Sequence, residues 1–179
     1  MERSKSQINI FNLISAILIW ILASVWFCII FFLATESEFD SYIRSHNVIV
    51  LFKEIIGIEL NQLIVRKFAH FFEYSFLASA VYLGLSFTNG ISPKHAYRYD
   101  QRKSIKHVNE LCIIYAFWLS TFISIIDEYI QLFVDGRFAS IIDVLIDSGS
   151  IVISLLLVRI LFLLKLMILH KNEDEYDNY

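Results

Sequence analysis

The sequence predicts an all-α membrane protein, a four-transmembrane-helix bundle with an amphipathic interfacial helix in the first outer loop. Three observations carry this. The 179 residues are 57% hydrophobic and only 18% charged, where a soluble domain is nearer half apolar and a quarter charged. Sixteen Phe, three Trp and a single Pro point the same way. The apolar residues are also gathered into runs of roughly 20 residues or more, the length that crosses a bilayer. A soluble enzyme, a nucleic-acid binder and a disordered chain are excluded. A net charge of −3 is too small to imply a polyanionic partner.

Four runs read as spans: Ile10–Ala34, Phe68–Phe87, Leu111–Val134 and Ile141–Leu169. The first is too long for a signal-peptide core, and no small-x-small pattern follows it, so it is expected to remain as an uncleaved span. The last is longer than a membrane is thick and should tilt, or emerge at Lys165. No repeat or low-complexity linker divides the chain. Residues 1–171 are therefore expected to form one membrane domain, and the acidic residues 172–179 a disordered cytoplasmic tail.

The segment between spans one and two, Thr35–Lys67, is more than a linker. Val48, Leu51, Phe52, Ile55 and Ile56 recur at helical spacing, with Lys53 and Glu54 opposite, the pattern of an amphipathic helix lying in the interface. Such a helix either rests on lipid or on the bundle, or serves as a lid over a site. Between spans three and four, Asp135-Gly136-Arg137 predicts a tight turn with Gly136 at positive φ, hence an antiparallel hairpin.

Lys and Arg counts set the orientation. The N-terminus, the second loop and the C-terminal end carry nine, including Lys94, Arg98, Arg102, Lys103 and Lys106. The first and third loops carry five: Arg44, Lys53, Arg66, Lys67 and Arg137. Both termini are therefore expected to be cytoplasmic. Cys28 then lies near the outer surface and Cys112 near the inner one, too far apart to pair, and both read as packing residues. His95 and His107 fall in the basic cytoplasmic loop and read as solvated; that loop could attract anionic lipid.

The spans are unexpectedly polar. Each charge at mid-bilayer costs about 2.5–3.5 kcal/mol even on the lenient insertion scale. Yet span two opens with Arg66, Lys67, His70, Glu73 and Tyr74, span three closes with Asp127, Glu128 and Gln131, and span four opens with Asp143 and Asp147. The topology brings these to one layer in the outer leaflet. Ser120, Ser124, Asp127 and Gln131 share one helix face, as do Asp143, Asp147, Ser150 and Ser154. An interhelical network that merely fixes packing would account for part of this. It rarely needs five carboxylates (Glu73, Asp127, Glu128, Asp143, Asp147) against Arg66, Lys67, Arg137 and one His, because half-satisfied networks are costly. The excess acid is met either by a proton, with Asp147 the candidate carboxyl, or by an entering cation or water.

Arg-Lys-Phe-Ala-His-Phe-Phe-Glu-Tyr at 66–74 resembles the R-K-x-x-H-x-x-E-Y element of the VanZ-like family of bacterial membrane proteins. Residues 127–144, from Asp127-Glu128 through Gln131, Gly136 and Arg137 to Asp143-Val144, are similar to that family's second element. The likeness spans about Phe11 to Leu164. It departs at Ala34-Thr35-Glu36-Ser37, where members often carry a Ser-Gln segment, and at Asp147, often Asn. The resemblance implies a multi-pass protein of the bacterial cytoplasmic (inner) membrane, and a link to resistance against glycopeptide antibiotics of the teicoplanin kind.

Three functions remain open. The polar layer could bind the head group of a lipid-linked cell-envelope intermediate, with Lys67 and Arg137 as phosphate partners. The binding set would then be Lys67, His70, Glu73, Tyr74, Asp127, Glu128, Gln131, Arg137, Asp143 and Asp147. It could instead be an enzyme on such a substrate, with His70, Glu73, Asp127 and Glu128 the candidate catalytic groups. A proton-coupled small transporter is the third reading, against which the absence of inverted-repeat signs weighs. Besides the lipid bilayer no partner is specified; no nucleic acid is expected. No HExxH or paired-Cys spacing occurs, so no metal or other cofactor is expected, although the carboxylates could take a divalent ion through oxygen ligands.

Overall fold

The computed structural model describes residues 8–58, 60–91 and 101–176, without the side chains of 101–108 and 165–176. These residues form five helices: α1 (Ile10–Ala34), α2 (Glu38–Ile56), α3 (Gln62–Gly90), α4 (Gln101–Gln131) and α5 (Ile141–Tyr176). No strand occurs among them. Three segments, Ile10–Ala34, Asn109–Gln131 and Ile141–Leu164, are long and apolar enough to cross a membrane. The 29-residue α3 has the length too, but it carries His70, Glu73 and several hydroxyl side chains. Lys94, His95 and Arg98 lie outside the described residues, as do 177–179 of the acidic tail; the rest of that tail falls within the end of α5.

Local chemistry starts and stops these helices. The side chains of Asn9, Ser37 and Asn61 accept bonds from backbone N–H groups in the first turns of α1, α2 and α3, satisfying donors that a helix start leaves free. Glu38 and Asp40 place negative charge where the α2 dipole favours it, and Gly57 ends that helix at φ 75°. The turn after α4 also follows the expected chemistry, with Gly136 at φ 77°. The third apolar run stops being helical at Gln131, because Leu132, Phe133 and Val134 donate to carbonyls only three residues back and tighten the chain into the turn.

Helix α3 is the hub, packing against all four others. Its Tyr74, Leu77, Ala78, Val81 and Tyr82 meet Ile30, Cys112, Ala116, Ile151 and Leu155 in one buried cluster. Small residues let the helices approach closely. A Cβ at Gly84 would stand 3.0 Å from the Trp20 ring. The outer surface is apolar instead, with Trp118, Phe122, Leu157 and Leu161 all exposed. A soluble bundle would show the reverse arrangement; lipid accepts this one.

Helix α2 is longer than its apolar stripe suggested, and the stripe faces away from the bundle. Val48, Leu51, Phe52, Ile55 and Ile56 are exposed, while Ser41, Ser45 and Ile49 are buried. Its first two buried residues are small and polar, and both line the polar cavity beneath it. The helix is pinned at its start, where the Glu38 amide donates to the Asp135 carbonyl at 3.3 Å.

A cavity beneath helix α2

A cavity of ≈ 270 Å³ lies where α1, α2, α3, α4 and the Gly136 turn converge. Its wall includes Ser41, Arg44 and Ser45 from α2, Arg66, His70 and Glu73 from α3, and Asp127 and Gln131 from α4, with Arg137 from the turn. The sequence put the polar ends of three spans in one layer. The structure brings them together and adds α2 as their cover.

The cations are already engaged. Arg66 forms a two-pronged ion pair with Glu38, and Lys67 pairs with Asp143. Arg44 pairs with Glu36 at 2.8 Å. Arg137 donates through Nη1 to the carbonyls of Leu33 and Ala34, at 3.2 and 3.3 Å, and through Nη2 to Ser41 Oγ at 3.1 Å. It thereby caps the C-terminus of α1, whose last carbonyls lack helical partners and carry the negative end of the dipole. Burial pulls the Arg137 pKa below its ordinary value, and Arg66 adds to that pull; a guanidinium still stays charged. Lys67, expected to face a ligand, does not line the cavity, and Arg44 and Arg66 do.

The acids are less well matched. Asp127 Oδ2 accepts from Tyr74 OH at 2.8 Å and from Gln131 Nε2 at 3.3 Å. Asp147 Oδ2 accepts from Ser124 Oγ at 2.8 Å. Glu128 Oε2 accepts from the Ser140 amide at 2.8 Å, fixing the start of α5. No Lys or Arg side chain among the described residues pairs with Glu73, Asp127, Glu128 or Asp147. Asp147 Oδ1, Glu128 Oε1 and His70 Nδ1 are buried with no hydrogen-bond partner. His70 Nδ1 stands 3.7 Å from Asp147 Oδ1, too far for a hydrogen bond.

All ten predicted binding residues therefore fall at this end of the bundle, in two groups. His70, Glu73, Tyr74, Asp127, Gln131, Asp147 and Arg137 lie on or just behind the cavity wall; Lys67, Asp143 and Glu128 tie α3, α4 and α5 together beside it. Sequence reasoning missed Glu36, Glu38, Ser41, Arg44 and Ser45. The i, i+4 spacing of Ser41 and Ser45 was the available signal, overshadowed by the apolar stripe on the opposite face.

No curated protein and no solved structure matches the chain. A family model does, described as VanZ/LLP1 and covering residues 19–163, which takes in the cavity and every helix that lines it. This multi-pass membrane protein belongs to the VanZ/LLP1 family.

Proposed function

We propose that the chain is a four-span protein of the bacterial inner membrane with both termini cytoplasmic. On this reading α3 is the fourth span, α2 lies in the outer interface, and the cavity opens toward the outer leaflet. There it binds the phosphorylated head group of a lipid-linked cell-envelope intermediate, and through that ligand acts in glycopeptide resistance. Residues 1–171 form the membrane domain and 172–179 an acidic tail. The carrying observation is the cavity wall, where Arg44, Arg66 and Arg137 converge beneath a helix that shows its apolar residues to the outside, so that a bound phosphate takes over donors which Glu36, Glu38 and Ser41 now hold. Guanidinium groups bind phosphate in a two-pronged manner, and a low-dielectric site strengthens that contact.

A second reading, an enzyme acting on the same lipid, is favoured by His70 on the cavity wall with an unpartnered ring nitrogen. One experiment addresses both. The purified protein in lipid nanodiscs is melted with a polyprenyl phosphate and with the polyprenol of equal length. Binding to the folded state raises the melting temperature, so the phosphate alone should stabilise, and Arg66→Gln should abolish the effect. Equal shifts with both lipids, or none, would remove the head-group reading. Conversion of the phosphate during incubation would establish the enzyme.

A further inference from the structure

We propose that His70, Asp127 and Asp147 form a site for a divalent transition-metal ion, zinc or manganese, in the wall of the cavity. Each offers one ligand atom, and these atoms lie within 4.8 Å of one another. They come from α3, α4 and α5, so no spacing in the sequence announces them. Bonds of about 2.0–2.2 Å at tetrahedral angles set ligand atoms roughly 3.3–3.6 Å apart, so the farthest pair closes by up to roughly 1.5 Å, a side-chain adjustment.

A trio of ionisable groups is not by itself a metal site, and two further observations separate this one. The Asp147 side chain is only 1% exposed, and its Oδ1 has no hydrogen-bond donor while facing His70 Nδ1, which also has no partner. A packing network would close that gap with a hydrogen bond; an ion between the two atoms accounts for the spacing. The neighbours are also arranged as supports. Tyr74 and Gln131 hold Asp127, and Ser124 holds Asp147, each by the oxygen Oδ2, as groups around a metal orient its ligands.

Charge favours the same occupant. Around the cavity stand Glu36, Glu38, Glu73, Asp127, Glu128, Asp143 and Asp147 against Arg44, Arg66, Lys67 and Arg137. That formal excess of three negative charges would fall to one with a divalent ion bound. The imidazole nitrogen suits zinc and the two carboxylates also suit manganese, whereas calcium takes oxygen ligands alone. His70 and Asp127 also line the cavity, leaving an open position on that side. The site stands on its own geometry, whether or not the cavity takes a lipid head group.

The test uses the full-length protein in nanodiscs, stripped with chelator, reloaded with Zn²⁺ or Mn²⁺ alone, and assayed for retained metal after gel filtration. One equivalent is expected in the wild type and in Glu110→Gln, a change at the far end of the bundle. At least a tenfold loss of affinity is expected in His70→Ala and Asp147→Asn. No stoichiometric retention by the folded wild type, or retention unchanged in both variants, would overturn the site. Should those variants misfold, Asp147→Cys in a background without Cys28 and Cys112 supplies a gained signal. Its Co²⁺ form should show thiolate-to-cobalt charge-transfer absorption. Failure of the folded Asp147→Cys protein to show that band would overturn the assignment of Asp147 as a ligand.

Discussion

The bundle has two buried layers that lie a turn or two apart on the same helices. In one, Leu77, Ala78, Val81, Ala116, Ile151 and Leu155 pack in a single buried cluster, and the buried Ser150 and Ser154 beside them bond back to carbonyls of their own helix. In the other, Tyr74, Asp127, Asp147, Ser124 and Gln131 meet through hydrogen bonds that leave Asp147 Oδ1 and His70 Nδ1 unused. Both layers are almost fully buried, so burial alone does not distinguish them. Saturation does. The side chains of the apolar layer make no polar demand of their own, whereas an unpaired buried polar atom costs about 1–3 kcal/mol. An incompletely paired layer is hard to explain as glue and easier to explain as a place where something else binds.

Breaking each layer in turn should separate the two. The largest effect is expected from Ile151→Asp, because Ile151 is fully buried in the apolar layer. A charge introduced there costs about 2.5–3.5 kcal/mol or more, and the protein should not accumulate in membranes by immunoblot. By contrast, His70→Ala, Glu73→Gln and Asp127→Asn should accumulate at close to the wild-type level while losing the phenotype the gene confers. If all three disappear as Ile151→Asp does, the polar layer is structural after all.

Two milder changes sharpen the comparison. Arg137→Lys keeps the charge but not the fork that reaches Leu33, Ala34 and Ser41 together. Losing part of that cap should cost roughly 1.5–3 kcal/mol, the value of a hydrogen bond to a charged group, seen as a lower melting temperature. Tyr74→Phe removes one donor from Asp127 and keeps the ring. It should cost about 1.5 kcal/mol of stability, the low end of that range because Gln131 still donates to Asp127, and shift function more than folding. A melting temperature that falls further for Tyr74→Phe than for Arg137→Lys would reverse the assignment of roles.

The two layers also differ in how well the sequence announces them. Helical periodicity placed Ser120, Ser124, Asp127 and Gln131 on one buried face, and the same logic placed Asp143, Asp147, Ser150 and Ser154, of which Asp143 is only half-buried. Charge in an apolar run is conspicuous, so the polar layer stood out residue by residue. What the sequence could not show was which residues meet. Lys67 reaches Asp143 across 76 positions, and Arg137 reaches back 104 positions to Leu33. Nor does any spacing mark His70, Asp127 and Asp147 as neighbours, since three helices supply them. Helix α2 left a different question open. Its apolar stripe marked a helix that could rest on lipid or on the bundle, and in the structure that stripe is exposed while Ser41, Ser45 and Ile49 are buried. A hydrophobic pattern identifies a helix without saying which side is the inside.

The smallest perturbation bears on which side of the membrane the polar layer faces. Asp135 is exposed in the turn between α4 and α5, and the structure uses its backbone carbonyl, not its side chain, to hold α2. Asp135→Cys should therefore leave stability unchanged. The background must lack both native thiols, of which Cys28 is exposed and Cys112 is buried. Serine is the natural replacement at 112, because Asn89 Nδ2 donates to Cys112 Sγ at 3.3 Å and a hydroxyl also accepts. Nine Lys and Arg on the side of the termini against five on the turn side predict that the introduced thiol faces outward. An impermeant thiol reagent should then label Asp135→Cys in intact cells as completely as after lysis. Labelling that appears only after lysis would turn the protein over and put the cavity at the cytoplasmic face. Lipid-linked intermediates on the outer leaflet would then be out of reach, while the metal site, which depends on no orientation, would be untouched.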